Sequence, residues 1–71
     1  MIEVGDEIKG VEDRGTAGYS KLHEVRGIVT VVNTVEDIRM YTIKTVCSNY
    51  FRETIVSESL GEVQLIKKGV N

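Results

Sequence analysis

A chain of 71 residues with 41% apolar side chains, 28% charged side chains and no proline describes one small domain spanning residues 1–71. A single core of this size yields only about 3–5 kcal/mol of net stability, which leaves little to support a large catalytic cavity, so a binding module is expected and an enzyme is not. Eleven Asp and Glu against nine Lys and Arg give a net charge of -2, away from the basic balance of a dedicated nucleic-acid domain. The single Cys47 cannot close an internal disulfide, which fits a reducing, cytoplasmic setting. Met1 to Asp6 lacks the basic start and apolar run of a signal peptide, and no 18-residue apolar stretch follows, so neither export nor a membrane span is expected.

The first predicted strand covers 2–9, with Ile2, Val4 and Ile8 on one side of a period-two pattern that Asp6 interrupts. Residues 10–23 carry Gly10, Gly15 and Gly18 among charged and polar side chains, which reads as a long irregular first loop. Residues 24–33 give the strongest strand signal, rich in Val and Ile, with Val25, Val29 and Val31 on one face and Ile28 and Val32 on the other. Gly27 marks a place for a bend. Asn33 to Asp37 is expected to turn the chain.

Residues 38–46 are expected as a strand, on their β-branched content, although Thr34 and Asp37 have capping-box spacing and leave a helix as the alternative. A polar break at 47–49 precedes a strand over 50–56, in which Phe51 and Ile55 alternate with Arg52 and Thr54. Ser57 to Gly61 suits one 3₁₀ turn, and residues 62–67 form a last strand with Val63 and Leu65 inward. The expected core is Val25, Val29, Val31, Tyr41, Ile43, Phe51, Ile55, Val63 and Leu65, which leaves Ile28, Val32, Ile38, Met40 and Ile66 as an outer apolar stripe.

Val4-Gly5-Asp6-Glu7-Ile8, then Gly27-Ile28-Val29-Thr30-Val31, then Val56-Ser57-Glu58-Ser59-Leu60 leading into Val63-Gln64-Leu65, resemble in their order and spacing the small Src-homology-3-like (SH3-like) β-barrel. Gly27-Ile28-Val29 is also similar to the glycine step of the KOW type of barrel. The resemblance covers residues 2–67 and implies an all-β, five-stranded barrel with a long first loop and one 3₁₀ turn before the last strand. It does not extend to proline-rich-peptide reading, because the chain has no Trp and only four aromatic residues to line such a groove.

Chemistry is sparsely represented. His23 and Cys47 are too few for a zinc site, and no nucleophile–base–acid signature is present, so no metal, cofactor or catalytic residue is expected. Gly10 to Thr16 has the glycine spacing of a phosphate loop, but Thr16 stands where lysine is needed. Arg14, Tyr19 and Lys21 surround one aromatic with two cations, and Tyr50 and Arg52 sit at a later hairpin, so these five residues are the candidate binding patch.

The leading expectation is a cytoplasmic, non-enzymatic module that binds another protein, of the kind used by phages and prophages to dock on a host protein or larger assembly by occlusion or tethering. The outer stripe also suggests a homodimer through strand edges or a flat apolar face. The alternative is a nucleic-acid-binding barrel of the ribosomal or transcriptional kind, with Arg14, Lys21, Arg26 and Arg52 on phosphates and Tyr19 or Tyr50 stacking on bases.

Overall fold

A computed structural model describes residues 1–47 and 50–69, with side-chain surroundings for all of these except 46, 47, 50 and 51. The described residues form five strands and no helix: β1 (Glu7–Asp13), β2 (Leu22–Val35), β3 (Ile38–Cys47), β4 (Tyr50–Ser57) and β5 (Gln64–Lys67). They make one antiparallel sheet in the order β4-β3-β2-β1-β5. The sheet is open, with β4 and β5 at its edges, and the strand assignment of residues 38–46 holds. Among the described residues no helix is long and apolar enough to cross a membrane.

The first strand begins later than expected. Residues 3–6 turn instead, with the Asp6 N–H donating to the Glu3 carbonyl (3.1 Å) and the Glu3 N–H donating to Asp6 Oδ2 (2.9 Å). Gly5 takes φ +97°, a conformation that suits glycine. The long first loop is corrected in the same way: β1 and β2 pair from Glu7↔Ile28 to Asp13↔Leu22, so residues 10–13 and 22–23 are paired strand and the connection shortens to 14–21. That connection is itself organised. Asp13 Oδ1 accepts from the N–H groups of Gly15 (2.8 Å) and Lys21 (3.0 Å), and Thr16 bridges Tyr19. These backbone donors, Lys21 first, lower the Asp13 pKa. Ser57 to Gly61 carries one i→i+3 bond, from the Leu60 N–H to the Ser57 carbonyl (3.1 Å), and stops short of a helix.

The buried core is Ile8, Val25, Val29, Tyr41, Ile43 and Val56, with Ile2, Val32 and Val63 packed against it. Val31, Ile55 and Leu65, expected inside, are exposed. Two local causes account for Val31 and Ile55. In β2 the pairing passes from Val29↔Ile43 to Val31↔Thr42, so Thr30 is an extra residue, its hydroxyl donating to the Thr42 carbonyl (3.3 Å). A bulge of this kind inverts the alternation, which turns Val31 outward and Val32 inward. In β4 the inward positions are Arg52, Thr54 and Val56, the opposite phase to the expected one, because the polar pair meets a buried carboxylate on β1.

β1 and β4 are not hydrogen-bonded neighbours, yet the sheet curls until they face each other. Gly10 makes the approach feasible: a Cβ there would lie 3.0 Å from the Cβ of Val56. Gly10 is therefore a strand residue and not part of a phosphate loop.

Candidate interaction site

The expected patch of Arg14, Tyr19, Lys21, Tyr50 and Arg52 divides. Arg14 and Arg52 come together, but on the inner side of the curl, where both reach Glu12 Oε1. Glu12 is 3% exposed and paired across the hairpin with His23. Arg52 Nη2 donates over 2.9 Å, Arg14 Nε donates to the same oxygen, and the Thr54 hydroxyl donates to Oε2. Burial alone would raise the Glu12 pKa, but the hydrogen bonds from Arg52, Thr54 and Arg14 outweigh it and hold the carboxyl at about 2. Tyr19 lies at the tip of the 14–21 connection, 66% exposed, and Lys21 follows it on the surface. The Tyr50 side chain lies outside the described residues.

A second polar cluster joins the beginning and the end of the fold. Asp6 is buried and accepts from the Gly69 N–H at Oδ1 (2.8 Å) and from the Glu3 N–H and Lys68 Nζ at Oδ2 (2.9 and 3.0 Å). The Gly69 amide, then that of Glu3, then Lys68 hold its pKa down at about 2. Nearby, the Tyr41 hydroxyl donates to Glu58 Oε1 (2.9 Å), and burial followed by this carboxylate raises the tyrosine pKa. Arg39 lies over the Tyr41 ring at 5.6 Å and donates to the Ile2 carbonyl (3.3 Å). Each of these clusters ties one element to another, and among the described residues no group of three His, Cys, Asp or Glu could hold a metal ion.

The outward face is different in kind. Alternation along β2, β3 and β4 puts Ile28, Val31 and Val35, then Ile38, Met40 and Thr42, then Ile55 on one side. Ile28, Val31, Val35, Ile38 and Ile55 are all exposed. Of the expected stripe, Ile28, Ile38 and Ile66 lie outside, Met40 is half-buried, and Val32 is corrected to a core neighbour. Two shallow hollows flank Ile28. One, of about 330 Å³, is lined by Glu7, Arg26, Gly27, Ile28 and Lys44, and the other, of about 240 Å³, adds Lys67, Lys68 and Gly69 to Glu7 and Ile28. Sequence reasoning missed the grouping of Glu7, Lys44 and Lys67 around Ile28, because only strand register brings residues from these four separate strands together.

Compared with known protein families, with curated proteins and with solved structures, the chain matches none.

Proposed function

We propose that this chain is a non-enzymatic protein-binding module, a partly open barrel of the SH3-like kind, that docks on a larger protein through the arm formed by the β2–β3 hairpin. The scaffold reading is supported by the strand order and by the Glu12 cluster, which draws edge strand β4 toward β1. The observation that carries the docking reading is the arm. Pairing of β1 with β2 stops at Ile28 and pairing of β4 with β3 stops at Met40, yet β2 and β3 continue to Val35↔Ile38. The arm thus presents Val35 and Ile38, 49% and 39% exposed, at an end of the sheet that neither neighbouring strand covers.

A nucleic-acid role has less to work with, since three of its four expected cations are engaged: Arg14 and Arg52 on Glu12, and Arg26 on Glu7 at 3.3 Å. The test is affinity capture from cell lysate, with and without nuclease treatment, using wild-type protein and a Val35→Asp/Ile38→Asp variant, both verified as folded by circular dichroism. A stoichiometric protein retained by the wild type and lost by the variant supports docking through the arm. A partner held equally by both, or recovery of nuclease-sensitive material only, overturns it.

A further inference from the structure

Where the β2–β3 arm runs past its neighbours, β2 has a free edge. Among the described residues, Val29 is the last β2 residue with a backbone partner on the β1 side: its carbonyl accepts from the Gly5 N–H and its N–H donates to the Asp6 carbonyl, both at 2.9 Å. The two-residue turn makes Val35↔Ile38 a hydrogen-bonded pair of the hairpin, so bonded pairs recur at Asn33↔Met40 and Val31↔Thr42. Val32 and Thr34 therefore aim their backbone groups away from β3. The facing strand agrees, because the carbonyl of Arg39, opposite Thr34, is turned away from β2 and accepts from the Glu58 N–H (3.2 Å). Among the described residues the N–H and C=O of Val32 and the C=O of Thr34 have no partner, and the Thr34 N–H is held only by the neighbouring Asn33 Oδ1 (2.9 Å).

We infer that this edge pairs with the same edge of a second copy of the chain, antiparallel about a two-fold axis that passes beside Asn33, normal to the arm. Val32 and Thr34 of one copy then exchange N–H···O=C bonds with Thr34 and Val32 of the other, and the two arms become one four-stranded ribbon. Asn33 meets Asn33 at the centre, in the non-hydrogen-bonded position. The segment is its own complement, since Val31-Val32-Asn33-Thr34-Val35 has two β-branched residues on each side of Asn33. Val31 and Val35, 51% and 49% exposed on the outward side, come to lie opposite each other across the new ladder, twice over. The ladder ends at these residues, because the Glu36–Asp37 turn of each copy then comes level with the Gly5–Asp6 segment of the other, which occupies the β2 edge at Val29.

Two observations favour a copy as the occupant. Residues 31–35 carry no charge, so nothing in them selects a charged partner, whereas an identical edge satisfies every open backbone group and matches every side chain in shape. The other edges of the sheet are guarded against such pairing and this one is not. β5 has only four residues and runs into Lys67 and Lys68, and β4 carries Arg52 and Glu53 and lies against β1 through Glu12. Over Val31–Val35 there is no lysine, no proline and no covering element bonded to the edge. The contact uses the backbone edge of the arm, while the proposed docking uses the Val35 and Ile38 side chains on its outward side.

The experiment uses the whole chain and variants in sedimentation equilibrium up to millimolar concentration, with circular dichroism as the fold control. Wild type should reach twice the chain mass, and hydrogen exchange at the Val32 amide should slow as concentration rises. Asn33→Lys sets two like charges opposite each other at the axis, as does Asn33→Asp, and each alone should weaken association by at least about tenfold. Mixed one to one, the two variants are complementary and should form a heterodimer. Thr34→Pro removes an edge donor that the β2–β3 ladder does not use, and should leave a folded monomer. Independently, Asn33→Cys in a Cys47→Ser background should crosslink to a dimer under mild oxidation, since residues paired in this position lie about 4.5 Å apart at Cα, while Glu53→Cys in the same background should not. A wild-type monomer at millimolar concentration, a dimer indifferent to the Asn33 charges, or an Asn33→Cys chain that fails to crosslink overturns the inference. The wild-type mass and the crosslink decide the matter even if Thr34→Pro does not fold. A wild-type monomer that still captures a protein through Val35 and Ile38 removes only the second copy, and a wild-type dimer that captures none removes only the proposed function.

Discussion

Nη2 of Arg52 lies 2.9 Å from Oε1 of Glu12, joining the inner faces of β4 and β1 across a gap that no backbone ladder spans. Arg14 and Thr54 complete the cluster, so a single buried carboxylate accepts three donors, two from β4 and one from the 14–21 connection. Curling of the sheet around its core depends on this cluster as well as on Ile8 and Val56.

Glu12→Ala leaves two guanidinium groups and a threonine hydroxyl without their common acceptor. Because the Arg14 and Arg52 side chains are partly exposed (47% and 36%), water can replace part of the loss. The expected cost is about 1–3 kcal/mol, read as a lower urea midpoint. An unchanged midpoint would show that the apolar core alone holds β4 over β1.

Acid should destabilise the fold within a defined window. Glu12 and Asp6 titrate at about 2 in the folded chain, against ordinary values of 4.5 and 3.8. A depressed folded pKa contributes stability that is complete above the unfolded value and is lost as pH falls toward the folded one. Urea midpoints should thus be flat above about pH 5 and fall between about pH 4.5 and pH 2, and Glu12→Gln should flatten that fall. A variant as steep as the wild type would place the acid sensitivity elsewhere.

Asp6→Ala removes the acceptor shared by Lys68, the Gly69 amide and the Glu3 amide. β5 is otherwise held by three residue pairs with β1. Hydrogen exchange of the amides in Gln64–Lys67 should accelerate well beyond that of β2 and β3, as local opening separates from global unfolding. Uniform acceleration along the whole chain would instead mean that the clasp stabilises the fold globally.

The β2–β3 turn is a two-residue connection in which Glu36 and Asp37 take φ of 51° and 67°. Left-handed residues suit such hairpin turns but cost about 1–2 kcal/mol each for ordinary side chains, and Asn-Gly is the preferred pair. Glu36→Asn/Asp37→Gly should raise the urea-derived stability by about 1 kcal/mol with no change in the strands. A loss of stability would show that the two acids make contacts the backbone cost conceals.

How much of this was legible beforehand depends on the type of signal. β2 and β3 were found because a run of Val, Ile and Thr is a local property. The stretch 10–23 was misjudged because its glycines suggested a loop, whereas Gly10 serves the close approach of β1 to Val56. Arg14 and Arg52 both reach Glu12, a meeting on which no local pattern bears, since a glutamate among charged neighbours gives no sign of being buried.

The amino-acid sequence by itself determined the all-β class, the strand-rich middle and the absence of cysteine and histidine in numbers that could build a zinc site, because composition and β-branched content act residue by residue. The tertiary structure decided which way each strand faces. A period-two pattern can be read in either phase, and the phase was set by two events remote from the pattern: the Thr30 bulge, which turns Val31 outward, and the buried carboxylate of Glu12, which draws Arg52 and Thr54 inward and leaves Ile55 exposed.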